Sequence, residues 1–305
     1  MKTVLGIYGR GRWGEKIRQT LERDFANRAQ IAWQVGRTDL QRANLREVDA
    51  VVAAVPPARH YEIVESAYFE HGRPLMIEKP LALSPATANH IARRWTQRRL
   101  PLLVDHVHLF APAYEQLKRV IEGHEIVLLR SLGGNSNDGP DRNEEWSVRP
   151  MMRPLWDYGP HDVAFALDLL GPLITVEVTD AFSEATTIDG TRALFDIRWK
   201  ARNARVHLRF GNGMPAKRRQ LEVLTHRGVQ VLYDDLAEAK LTVNGLPVTD
   251  LDSTPPLTRA LDVFLNAVRH GTPDPRLGPE LGVEVVRTLQ WIEAAILEGR
   301  GGGDG

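Results

Sequence analysis

Three glycines set between an apolar run and an amphipathic one constrain this chain more than any other feature. "TVLGIYG", Thr3 to Gly9, reads as a short buried strand, and the residues from Trp13 to Phe25 place Ile17, Leu21 and Phe25 at helical spacing. Gly9, Gly11 and Gly14 therefore fall at a strand-to-helix turn and fit G-x-G-x-x-G. In that pattern the first glycine allows the tight turn, the second lets a pyrophosphate approach the backbone, and the third lets the helix pack close to the strand. The anion rests on the helix N-terminus. The competing reading is a glycine-rich turn without a ligand.

The end of the second strand bears on which dinucleotide would bind. The strand "QIAWQV" is followed by "GRTD", so Gly36 fills the slot where an acid usually holds the ribose hydroxyls of NAD, and Arg37 comes next. Loss of the acid removes repulsion toward a 2′-phosphate, and a guanidinium can grip that phosphate with two hydrogen bonds. NADP(H) is the expected cofactor, with NAD(H) as the alternative. In the competing reading Arg37 is a solvated loop residue and Asp39 does the ribose work.

From Val48 strands and helices alternate: "VDAVVAAVPP", a helix from Glu62 to Phe69, "PLMIEKP", a helix from Ser84, and "LPLLVDHVHLF". Ser84 followed by Pro85 reads as a helix N-cap and first turn, with Ala88, Ile91, Ala92 and Trp95 on one face. This predicts an α/β fold with a doubly wound parallel sheet. About a dozen residues separate Arg37 from "VDAVV", too few for a full helix and strand, so one unit of the sheet is expected to be truncated.

After Glu122 the pattern changes. "ALFDIRWK" and "RVHLRF" alternate apolar and charged residues, as antiparallel strands with one solvated face do. "LEVLTHRGVQVLYD" adds two strands around Arg227 and Gly228, and "KRR" at Lys217 to Arg219 reads as a polar strand start. Two helices follow, the first carrying Leu261, Phe264, Leu265 and Val268, the second Leu281, Val285, Leu289, Ile292 and Ile296. The expected division is a nucleotide-binding domain over 1–122, with the last helices packing back near it, a substrate-binding and oligomerisation α+β domain over 123–300, and a disordered tail at 301–305.

Composition narrows the partners. Lys plus Arg and Asp plus Glu number 39 each, so no global basic field draws the chain to nucleic acid or an anionic membrane. There is no cysteine, which excludes disulfides, thiolate zinc sites and a cysteine nucleophile. His106, His108 and His161 show no helical metal-ligand spacing, and no G-x-S-x-G elbow supports a serine hydrolase, so no metal is expected. Met1 precedes a predicted strand and not an export signal, which makes the cytoplasm the expected location. A small-molecule partner is left by elimination.

Three segments carry chemistry. "MIEKPLAL" puts Glu78 and Lys79 at the C-terminal end of a parallel strand, the edge where such sheets bind ligands. There an ammonium can hold a reacting hydroxyl or carbonyl oxygen and help move a proton. The competing reading is a surface ion pair. In "PLWDYGPHDVAFALDLLG", Asp157 and His161 are four apart and share one side of a helical turn. A carboxylate beside an imidazole fixes its tautomer and raises its basicity, which suits a general base. In "NDGPDR" Arg142 could pair with an anionic group, and Trp146, Trp156 and His108 could form a sugar-stacking or hydroxyl-binding wall. Packing in loops and interfaces is the competing reading for these four.

In order and spacing, "GRGRWG", "VPPARH", "EKPLAL", "LFAPAY", "GPDR", "LWDYGPHD" and "FLNAVRHG" resemble the glucose-fructose oxidoreductase and inositol dehydrogenase family, Gfo/Idh/MocA. The resemblance covers nearly the whole chain. It implies an N-terminal Rossmann domain, a C-terminal α/β domain built on a large, mostly antiparallel open sheet, and oxidation or reduction of one carbon of a sugar or cyclitol with NAD(P). Within the family the motifs look most like the sugar-nucleotide and amino-sugar dehydrogenase branch. The catalytic lysine of E-K-P falls on Lys79, and the aspartate and histidine of D-x-G-x-H on Asp157 and His161. The cofactor set extends to Arg12, Trp13, Thr38, Val55, Pro56, His60 and Glu78, and the Lys79-Pro80 bond is expected to be cis. Where many relatives carry an aspartate three residues after the histidine, this chain has Ala164, with Asp162 directly after His161. The leading expectation is an NADP-preferring oxidoreductase, assembled as a homodimer or homotetramer. A reductase of a non-sugar carbonyl, imine or tetrapyrrole bond, and a nucleotide-binding regulatory or assembly protein without turnover, are the alternatives.

Overall fold

A computed structural model describes residues 1–136, 148, 150–171, 177–185, 192–201 and 203–300. Arg142 and Trp146 lie outside them, as do the tail at 301–305 and the whole of "NDGPDR". Among the described residues no helix is long and apolar enough to cross a membrane.

The chain opens with β1 (Thr3–Tyr8), α1 (Arg12–Asp24) and β2 (Ala29–Val35). Leu5 and Ile7 are wholly buried in β1, and α1 turns Ile17 and Leu21 onto the sheet, as the spacing predicts. Between β2 and β3 (Ala50–Ala53) stands only the short 3-10 turn Leu40–Arg42, so the unit is truncated as expected. After β3 a 3-10 turn leads into α2 (His60–Ile63), which runs on as a π-helical stretch, Val64–Glu70. Then come β4 (Leu75–Glu78), α3 (Pro85–Arg98) and β5 (Leu102–Asp105). Ser84 caps α3 by accepting the Thr87 N–H at 3.2 Å. On α3 Ala88 and Ile91 are wholly buried.

The five strands lie parallel in the order β2-β1-β3-β4-β5. The reversal beside β1 brings the loops after β1 and β3 to the same edge, the place where such sheets take a ligand.

The second stretch contributes α4 (Pro112–Val120), β6 (Ile126–Gly134) and α5 (Arg153–Leu170). The strands β7 (Glu177–Ala185), β8 (Ala193–Ala201), β9 (Ala204–Gly211), β10 (Arg218–Thr225), β11 (Gln230–Asp234), β12 (Leu241–Val243) and β13 (Leu246–Pro247) follow. They form one eight-stranded sheet ordered β13-β12-β11-β10-β6-β9-β8-β7. Every pair is antiparallel except β6 with β9, so the sheet is mixed and mostly antiparallel. On β8 Phe195, Ile197 and Trp199 are buried while Arg198 and Lys200 are exposed, the alternation legible in "ALFDIRWK". Phe195 stacks on Phe210 of β9 at 5.7 Å between ring centres, and Phe165 of α5 meets Tyr114 of α4 at 4.8 Å.

The chain ends with α6 (Pro256–His270) and α7 (Glu280–Arg300). Two compact units result: Met1–Phe110 with Thr254–Val286, and Ala111–Ser253 with Arg287–Gly305. Arg28 at the start of β2 holds α6 through Asp262 at 2.5 Å and Asn266 at 2.8 Å, which explains why Thr254–Val286 belongs to the first unit.

Candidate active site

The turn after β1 is built around its glycines. Gly9 has φ +118, and a Cβ there would run into the Ala54 carbonyl oxygen; a Cβ on Gly14 would run into the Gly9 carbonyl oxygen. At Gly11 a Cβ would meet no protein atom within 4 Å. Nothing in the protein requires glycine at that point, and a phosphate approaching the backbone does. Gly11 is also the N-cap of α1 and brings no side-chain cap to the helix, leaving its first N–H groups for an anion. The residues present thus fit a dinucleotide's pyrophosphate.

At the neighbouring loop, Arg37 and Thr38 are exposed. Asp39 accepts the Gly36 N–H at 2.6 Å and pairs with Arg10 at 2.8 Å, while Arg10 also donates to the Gln34 carbonyl at 2.8 Å. Asp39 is thereby engaged in shaping the loop, while the Arg37 and Arg10 side chains are exposed. Arg10 was missed in the sequence, because nothing local distinguishes it from a solvated arginine.

His60, expected among the cofactor residues, is wholly buried and turned into protein. Its Nδ1 lies 2.8 Å from the Pro80 carbonyl oxygen and its Nε2 3.0 Å from that of Val55. The ring therefore ties the loop after β3, which carries Val55 and Pro56, to the loop after β4, which carries Lys79, and acts on a cofactor only through them. The Lys79-Pro80 bond is cis, as expected.

Burial outweighs the two carbonyl contacts and pulls the His60 pKa from 6.5 down to about 4. The unfolded chain takes up that proton below 6.5 and the folded one does not, so His60 removes stability as the pH falls from about 6.5 to about 4, by up to about 3 kcal/mol. Urea melts at neutral pH and near pH 4.5 are expected to show a steeper acid loss in the parent than in His60→Gln; equal losses would refute this.

Glu78 and Asp105 end adjacent strands as direct register partners. Trp13, from the first turn of α1, turns its indole toward both carboxyls, with the Lys16 ammonium 4.7 Å from the centre of its ring. Trp13 can therefore offer a phosphate only its backbone. Lys79 leaves the same strand end, half-buried, beside this acidic pair. His108 stands half-buried on the 3-10 turn Val107–Phe110.

In the second unit Asp157 and His161 both lie on α5, one turn apart and half-buried. Gly159 between them is buried where a Cβ would stand 2.8 Å from Leu289 and 3.1 Å from Phe210, so the glycine lets this part of α5 lie close against β9. Pro160 withholds a backbone donor at the centre of the helix. Trp156, offered above for a sugar-stacking wall, is wholly buried and donates its indole N–H to Glu293 at 3.0 Å. That position belongs to the core, and the wall loses this member.

A turn shaped for pyrophosphate on a five-stranded parallel sheet defines a dinucleotide-binding Rossmann unit. Residues 14–106 match the family described as "Oxidoreductase family, NAD-binding Rossmann fold". Over that stretch the chain is similar to the Gfo/Idh/MocA oxidoreductases. It is 38% identical over 81 residues to inositol 2-dehydrogenase 2 of Mycolicibacterium vanbaalenii, a match covering 26% of this chain and 23% of that relative's length. A solved structure from Magnetospirillum magnetotacticum is 29% identical with a TM-score of 0.79, over 95% of this chain and 99% of that one. The biliverdin reductase of Synechocystis, solved with biliverdin and NADP+, shares the fold at 19% identity and a TM-score of 0.73, over 96% of this chain and 99% of that one.

Proposed function

We propose that the protein is an NADP(H)-preferring oxidoreductase acting on a secondary alcohol or ketone carbon of a sugar, cyclitol or sugar-nucleotide-like substrate. The observation that carries this reading is Lys79 leaving the C-terminal edge of a parallel sheet whose phosphate turn is open at Gly11. The sugar-like substrate draws support from the local identity to an inositol 2-dehydrogenase. The nicotinamide, when bound, supplies or accepts the hydride. His161, held in one tautomer by Asp157, takes the proton of the substrate hydroxyl, and Lys79 stabilises the negative charge that develops on that oxygen. His108 and Arg142 contribute to holding the substrate.

Titration of the pure protein with NADPH and NADH, followed by a screen of keto-sugars, cyclitols and sugar nucleotides at the nicotinamide absorbance band, tests the reading. Turnover only with a tetrapyrrole or an imine would replace the sugar substrate, and saturable binding without turnover on any substrate class would point to a regulatory protein. Light scattering would test the expected homodimer or homotetramer.

The cofactor preference has its own test. A charge-assisted contact from Arg37 to the 2′-phosphate is worth about 1.5 to 3 kcal/mol, or roughly ten- to a hundredfold in affinity. Arg37→Ala should weaken NADPH by that factor and spare NADH. Equal losses for both nucleotides would refute the assignment.

A further inference from the structure

Three carboxylate oxygens at the ends of β4 and β5 pose a bookkeeping problem. Glu78 and Asp105 stand side by side, and Glu78 Oε1 and both Asp105 oxygens are shut off from water with no donor in ordinary hydrogen-bonding geometry. Two ionised carboxylates so placed would repel each other in a medium that solvates them poorly. A single proton between them turns the repulsion into a short hydrogen bond, as in other buried acid dyads. Burial drives the proton affinity of both groups up, and the Asp105 charge drives that of Glu78 further. The cations that face the pair are Lys79, from the loop after β4, and Lys16, from α1; the Trp13 indole points at both acids, and His106, just past the end of β5, is a buried neighbour.

We infer that Glu78 and Asp105 form a carboxyl–carboxylate pair that shares one proton behind Lys79, and that this pair distinguishes the charge state of the nicotinamide. This rests on the reading that the nicotinamide binds at the C-terminal edge of β4 and β5. The oxidised ring is a cation and the reduced ring is neutral. A cation brought to this edge favours the doubly ionised pair, so binding of NADP+ expels the shared proton to solvent, and binding of NADPH leaves it in place. The pair would thus make the relative affinity for oxidised and reduced cofactor depend on pH.

Two measurements on the intact protein test this. The first is infrared difference spectroscopy without cofactor: a carbonyl band of a protonated carboxylic acid is expected near neutral pH in the parent, altered in both Glu78→Gln and Asp105→Asn. Absence of the band, or a band unchanged in both variants, overturns the shared proton. The second is calorimetric titration with NADP+ and NADPH in buffers of different ionisation enthalpy. Release approaching one proton is expected on NADP+ binding and none on NADPH binding, with NADP+ affinity rising up to tenfold per pH unit where the pair titrates and Asp105→Asn abolishing both effects. Equal release with the two nucleotides, or release that persists in Asp105→Asn, overturns the sensing role. If neither nucleotide binds, the cofactor reading itself fails and the sensing role with it, while the infrared band still decides the shared proton.

Discussion

His161→Ala and Lys79→Met are each expected to lower turnover by roughly a hundred- to ten-thousandfold, the usual range for groups that move a proton or stabilise the charge it leaves behind. Loss of a hydride from a carbinol carbon requires its hydroxyl proton to leave as well, and the alkoxide formed without a base is too costly at neutral pH. A base within about 3.2 Å of that oxygen, directly or through one water, removes the cost. Asp157→Asn should give a smaller loss, since it disturbs the histidine's tautomer without deleting the base. NADPH affinity should change little in His161→Ala, because the phosphates rest on the turn from Gly9 to Gly14. Parent-level turnover of the identified substrate by either His161→Ala or Lys79→Met, measured with NADPH saturating, would remove that residue from the proton path.

The parts legible in the sequence were those written in local periodicity. Ile17 and Leu21 on α1, the Ser84 cap of α3 and the alternation of β8 each depend on residues a few positions apart, and each appears where the spacing puts it. The short β12 and β13 carry too few residues to announce a period, and they were not anticipated. The candidate site was legible to the extent that its placement is local: Gly9, Gly11 and Gly14 in one turn, Asp157 and His161 on one helix. What escaped depends on pairing between distant strands. Asp105 was not singled out in the sequence, because only the placement of β4 beside β5 makes it the register partner of Glu78. His60 and Trp156 failed as ligand-facing residues for the opposite reason: a polar or aromatic side chain in a motif does not say which way it points, and here both point into protein.

The largest stability effect is expected at a second buried charge, next to the proposed base. Asp162 on α5 is wholly buried and meets Arg219 of β10 at 3.1 Å, while Ser131 of β6 donates to its other oxygen. Gly133 of β6 keeps the path clear, since a Cβ there would stand 2.6 Å from both Arg219 Nη1 and Asp162 Oδ2. "KRR" is thus more than a polar strand start: its last arginine crosses the sheet to anchor α5. Removing one member of such a pair leaves the other charge buried and uncompensated, which costs about 3 to 5 kcal/mol, whereas replacing both by apolar residues of similar volume is often nearly neutral. Arg219→Met should lower stability to urea by an amount in that range, and Asp162→Leu with Arg219→Met should recover most of it. Because Asp162 is the residue after His161, Arg219→Met should also lower kcat through a loosened helix. The double variant should regain stability more fully than it regains turnover, since an apolar contact restores packing without fixing the rotation of α5 as a directed ion pair does. A single variant as stable as the parent would show that Asp162 and Arg219 find other partners, and that the anchoring of α5 lies in its apolar contacts alone.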